Sequence, residues 1–169
     1  MIIPTTRFGP LVVEEAKFIT MERPILGFDR LRQYILLPGQ KDSPLWWLQS
    51  VQNPAIAFVV VNPAIIKPNY DPEFPDEVLE LLDIKNIEDI VLLTIVTICS
   101  RPLRITVNLK APLLVNAESR RAGQIVLDDP NCPIQYDIVE NRECHSRQEP
   151  AIAHLLGKIA HPVVGATAG

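Results

Sequence analysis

The chain has 169 residues, 47% of them hydrophobic and 21% charged, which is the length of one domain with enough apolar surface to offset the ordering entropy of a compact fold. A net charge of −4 and a pI near 5.4 repel phosphate backbones and argue against direct nucleic-acid binding. No apolar run approaches the roughly 20 residues that cross a bilayer, and the opening MIIPTTRFGP lacks a basic region followed by a signal-length apolar core, so a cytoplasmic protein is expected.

Proline stands at 16 against 7 glycines, so regular elements are expected to be short and often interrupted. Apolar, β-branched segments recur between turn signals: IIPTT, GPLVV, KFITM, YILLP, LWWLQSV, AFVVV, DIVLLTIVTIC, ITVNLKAPLLV, GQIVL and IQYDI. Each reads as a strand. Ile105, Val107 and Leu109 alternate with Thr106, Asn108 and Lys110, the pattern of an antiparallel sheet with one wet face. Asn53-Pro54, Asn62-Pro63 and Asp129-Pro130 supply turns between them. The fold class is mainly β, a small barrel or sandwich with one or two short helices.

A helical turn is expected over Phe28 to Gln33, after Gly27. The firmer helix signal is PDEVLELLDI. Pro75 suits the first helical position, Asp76 and Glu77 the positive end, and Val78, Leu81 and Leu82 share a face, predicting two to three turns. After about Ile138 the strand pattern stops. Residues 139–169 read as a C-terminal tail, in which Pro150 and Pro162 bracket a short amphipathic helix over 150–161 with Ile152, Leu155, Leu156 and Ile159 on one stripe.

Little in the chain carries catalytic chemistry. His145, His154 and His161 all lie in the tail, leaving residues 1–138 without an imidazole to activate a serine or cysteine. Cys99, Cys132 and Cys144 form no CxxC pair, which argues against a disulfide scaffold or a structural metal site, and Cys99, inside an apolar strand pattern, reads as a buried, inert thiol. The glycines are scattered singly, with no phosphate loop, so no cofactor is expected. A small β-barrel enzyme or ligand carrier using carboxylates is the alternative to a binding protein, because paired acids can work without histidine.

Charge is the stronger signal. Asp71, Glu73, Asp76, Glu77, Glu80, Asp83, Glu88 and Asp89 face one lysine, Lys85, over residues 71–89. This is either a solvated helix face or a docking surface for a basic partner. Arg101, Arg104, Lys110, Arg120 and Arg121 form an opposing basic stretch whose plain explanation is intramolecular balance. Trp46 and Trp47 are adjacent, so in a strand they face opposite sides, one toward the core and one as an exposed anchor.

The segments ITMERPILGFDRLRQYILLP, DSPLWWLQSVQNPAIAFVVVNP, LTIVTI, NLKAPLLVN and GQIVLDD follow one another in an order and spacing that resembles the flagellar assembly factor FliW family, from Met1 to about Ile138. The resemblance implies a mostly β, barrel-like domain over 1–138 and a non-enzymatic regulator. Such proteins bind newly made flagellin and the translational repressor CsrA, so that export of flagellin frees the factor to sequester the repressor. Under that resemblance Asp71, Glu73, Asp76, Glu77 and Glu80 are expected to attract the repressor. An apolar groove near Trp47, Phe58 and Val60 is expected to receive an amphipathic flagellin helix. The chain departs from the pattern in its tail and in the IQYDIVEN ending, which lacks a basic finish.

Overall fold

The computed structural model describes residues 1–100 and 103–138. The predicted helix at 150–161, all three histidines, Cys144 and Arg101 lie outside those residues. Among the described residues eleven strands form: β1 (Ile2–Ile3), β2 (Leu11–Val12), β3 (Ile19–Arg23), β4 (Gln33–Pro38), β5 (Trp46–Ser50), β6 (Ala57–Val61), β7 (Ile90–Ser100), β8 (Leu103–Val107), β9 (Leu113–Asn116), β10 (Arg121–Gln124) and β11 (Tyr136–Asp137). The helices are α1 (Pro63–Ile66) and α2 (Asp76–Leu81).

Strand β7 closes the barrel. Along one edge it pairs with β6, Val60 opposite Ile95, and along the other its first residues pair with β9, Val91 opposite Val115. The ring therefore runs β7-β6-β5-β4-β3-β10-β9 and back to β7, seven strands with no open edge between them. The rest of β7 runs past the barrel and carries β8, which in turn carries β11. Every pairing is antiparallel except β3 with β10, which is parallel and slips register between Ala122 and Gly123. A Cβ on Gly123 would come within 3.1 Å of the Arg23 Cβ, so the smallest residue sits where these two backbones approach at the bulge.

Period-two alternation fills the interior. Tyr34 and Leu36 of β4, Leu48 of β5, Val60 of β6, Val91 and Leu93 of β7, Leu113 and Val115 of β9, Ile19 and Met21 of β3 and Ala122 of β10 all enter one buried cluster. The intervening residues are apolar too and need cover from outside. Ile35 and Leu37 pack under the β1–β2 hairpin through Ile3, Leu11 and Val13, with Trp47 beside them. Val61 and Val96 pack with Ile66 of α1, Tyr70, Val107 and Leu109. Leu114 and Ile125 lie beneath Val78 of α2 and Leu82.

Several predicted elements change. ITVNLKAPLLV is two strands, because the Asn108 side chain accepts a hydrogen bond from the Ala111 N–H at 3.0 Å and turns the chain before Pro112, which has no N–H to give. The expected helical turn over Phe28 to Gln33 is a tight turn closed by the Leu31 N–H donating to the Phe28 carbonyl, and Gln33 already begins β4. The Asn62-Pro63 turn opens α1 instead: Asn62 Oδ1 accepts from the Ala64 N–H at 2.9 Å and Pro63 occupies the first turn. Pro75 caps α2 and does not begin it, and α2 is six residues long, shorter than predicted. Cys99 is exposed, since it lies where β7 has left the barrel, so the buried reading does not hold for it.

Tyr34 makes a testable case for this core. It is fully buried, its hydroxyl meets no partner among the described residues, and burial pushes its pKa up to about 12. An unfolded tyrosine ionises near pH 10, so the raised value gives stability that is complete below about pH 10 and lost as pH climbs toward about 12. Tyr34→Phe is expected to flatten that alkaline loss, leaving the share of Tyr70, whose pKa burial also raises. At pH 7 it should stay within about 1 kcal/mol of the parent or exceed it, since no hydrogen bond is removed. Urea denaturation of both proteins at neutral and alkaline pH measures this, and equal slopes would contradict it.

Candidate functional site

Residues 67–84 wrap the outside of the barrel and carry the acids. Tyr70 pins one end: its ring is buried, and its hydroxyl donates to the Leu109 carbonyl at 2.7 Å. Phe74, half-buried, bridges the two outer clusters, and Val78 and Leu82 anchor α2. Val78 and Leu82 turn inward while Leu81, expected on their face, is exposed, and Asp71, Glu73, Asp76, Glu77 and Glu80 are all exposed as well. Asp76 and Glu77 occupy the first turn of α2, where free backbone N–H groups favour negative charge.

The end of α2 explains its shortness. Asp83 adopts a left-handed backbone with φ of 56°; its N–H donates to the Glu80 carbonyl at 3.0 Å, and the Ile84 N–H reaches the Leu79 carbonyl at 2.8 Å. This double closure is a Schellman turn made without glycine. Asn116 of β9 secures it: the buried side-chain amide donates to the Leu82 and Asp83 carbonyls, each at 2.9 Å, while its oxygen accepts from the Glu118 N–H. The acidic helix is thereby tied to a barrel stave at its last turn.

Two clefts flank the acidic segment. One, of about 560 Å³, has Phe74, Leu79, Ile87, Ile90 and Leu92 as apolar walls with Asp71 and Glu73 at its lip. The other, of about 520 Å³, brings Glu73 and Glu77 together with Asp128 and Asp129 around a single basic residue, Arg23. Glu73 lines both. Asp128 and Asp129 were not part of the acidic run in sequence, yet they extend the same negative surface.

Among the described residues, ion pairs join Lys85 to Asp83, Arg104 to Asp137 and Arg121 to Glu22; none engages Asp71, Glu73, Asp76, Glu77 or Glu80. Arg104 and Arg121 thus balance acids elsewhere in the fold. No three described His, Cys, Asp or Glu side chains come together in a way that could hold a metal ion. Cys132 is buried, with Asp129 Oδ2 at 3.6 Å from its sulfur; burial first, then the neighbouring carboxylate, raises its pKa and keeps the thiol protonated.

The apolar candidates do not line one groove. Phe58 faces inward from β6, edge-on to Phe28 at 5.0 Å, and lines a cleft of about 260 Å³ with Ile25, Leu26, Phe28, Ile95 and Ile134. Val60 shares that face but is wholly buried behind it in the barrel. Trp47 points the other way, edge-on to Phe8 at 5.7 Å, with the Arg7 guanidinium 4.4 Å above its ring. Trp46 packs half-buried against the barrel interior, so each tryptophan has its own side, but Trp47, covered by Phe8 and Arg7, is half-buried too and not an exposed anchor.

The model of the family described as FliW protein matches residues 2–138, the whole barrel and its wrap. The chain belongs to the FliW family. It is 46% identical over 143 residues to the flagellar assembly factor FliW of Syntrophus aciditrophicus, covering 85% of this chain and 90% of that protein. The corresponding protein of Bacillus subtilis is 38% identical over 138 residues, 82% of this chain and 96% of its own length. A crystal structure of the flagellar assembly factor FliW superposes with a TM-score of 0.75 at 31% identity, covering 82% of this chain and 96% of that one. The matched residues contain both of these clefts and the acidic segment.

Asn116→Ala tests whether the wrap is held as described. Removing its amide leaves the Leu82 and Asp83 carbonyls without these donors, and the chain is expected to lose about 1 to 3 kcal/mol. Hydrogen exchange should speed over residues 76–84 before it speeds in β4 or β5. Uniform acceleration across the barrel would refute a local clamp.

Proposed function

We propose that this chain is a flagellar assembly factor that binds flagellin and antagonises the translational repressor CsrA, coupling the level of flagellin to its translation. The observation that supports it best is the set of five acids, Asp71, Glu73, Asp76, Glu77 and Glu80, exposed and without an ion pair among the described residues, on a segment clamped to the barrel. A repressor that reads RNA must carry basic residues, and a fixed negative surface speeds encounter with such a partner and selects it by sign. Membership of the FliW family, whose resemblance implies flagellin and CsrA as partners, supports this choice of the two.

On this reading the acids meet the repressor, and flagellin takes the apolar side. Phe58 is the member of the Trp47, Phe58 and Val60 set that opens into a cleft, with Val60 supporting it from behind. An amphipathic helix would lay apolar side chains against Phe28, Phe58 and Ile134. Trp47, opposite Leu37 on the outer face of the β4–β5 ladder, offers a second aromatic contact on a different side. The factor works in the cytoplasm, where both partners are synthesised, and performs no covalent chemistry.

Purified components test this. The triple reversal Asp71→Lys, Glu73→Lys, Glu77→Lys is expected to slow association with the repressor at low salt by at least about tenfold while flagellin binding persists. Repressor affinity unchanged by the reversal would sink the electrostatic site. Failure of the unaltered chain to bind flagellin would sink the assembly role.

A further inference from the structure

The apolar cleft between the acidic segment and the start of β7 is more open than a finished core. Ile87 at its edge is 84% exposed, and Phe74, Leu79 and Ile90 are only half-buried. A recess of this size, apolar inside and charged at the lip, accepts two or three apolar side chains from a segment with basic character.

The chain itself contains such a segment. Residues 150–161, PAIAHLLGKIAH, place Ile152, Leu155, Leu156 and Ile159 at helical spacing, and their ionisable residues are Lys158, His154 and His161, with no acid. Twelve residues are marginal as a free helix, so that stripe needs a surface to form against. The last described residue, Ile138, packs against the same outer cluster as Phe74 and Leu92, two walls of the cleft. Residues 139–149 extended span up to about 36 Å, against a radius of gyration of about 14 Å for a domain of this length, so the cleft lies within reach.

We infer that residues 150–161 dock in this cleft as an apolar-striped helix, Leu155 and Leu156 entering between Phe74, Leu79 and Ile87, with Lys158 at the flank toward Asp71 and Glu73. Tethering holds the segment at an effective concentration on the order of millimolar, so a contact of modest affinity fills the cleft in cis ahead of a second copy at micromolar concentration. A partner that uses the same acidic lip must displace it.

The test uses the full chain with a photoactivatable benzoylphenylalanine at Ile87, irradiated at low micromolar concentration and mapped by peptide mass spectrometry. Intramolecular adducts to residues 150–161 are expected. They should fall at least about tenfold in the Leu155→Asp, Leu156→Asp background, since a carboxylate is not accepted in an apolar recess where no partner meets it. Circular dichroism of both proteins confirms that the barrel is intact. Adducts that avoid 150–161, adducts of equal yield in both backgrounds, or adducts found only between two copies would each overturn the inference.

Discussion

The strands of this barrel are apolar on both faces, and that constraint organises the molecule. Closing seven strands satisfies the backbone and buries one face of each, but Ile35, Leu37, Val61, Val96 and Leu114 then point outward as apolar as the residues within. Water cannot be left on them. Three pieces of chain cover the outside: the N-terminal hairpin, α1 with the strands β8 and β11, and the wrap that carries α2. A cover has an inner face fixed by the barrel and an outer face that the fold leaves open, and the acids stand on such an outer face.

Holding like charges on a short segment is unfavourable, so their position has to be secured by other interactions. Phe74, Val78 and Leu82 provide apolar anchorage, Tyr70 a buried hydrogen bond, and Asn116 two donors at a helix end where Asp83 takes a left-handed backbone. The positive end of α2 offsets part of the repulsion between Asp76 and Glu77. At the other end no basic residue stands in the last turn. The exposed contact of Lys85 with Asp83 at 3.9 Å adds little. The segment thus keeps its charge because packing, and not ion pairing, fixes it.

Much of this was legible in the sequence, and what was not has physical reasons. YILLP, LWWLQSV, AFVVV and LTIVTI announced β4 to β7 through β-branched content and turn chemistry, and the FliW resemblance carried the barrel. Strand period alone showed that Trp46 and Trp47 part company. That Trp47 and Phe58 also part depends on register, which pairs Trp47 with Val59 and Leu48 with Phe58, and register is a tertiary property. The parallel β3–β10 pair is likewise set by closure and not by local pattern. The acids were plain as a run, but Asp128 and Asp129 join them only through folding. The length of α2 was hidden because aspartate gives no sign of a left-handed turn as glycine would.

The cleft at Phe58 and the cleft at Phe74 have no lining residue in common, yet both rest on β7: Ile90, Val91 and Leu92 line one, Ile95 and Thr97 the other. Between them Leu93 and Thr94 are completely buried, and Thr94 is tied to the Val61 carbonyl across the ladder. A strand held on both edges transmits little displacement, because moving it would break pairs with β6 and β9 together. If flagellin and the repressor oppose one another on this barrel, the economical physical route is overlap of two bulky partners around its rim, with reciprocal effects on affinity, and not a rearrangement passed along β7.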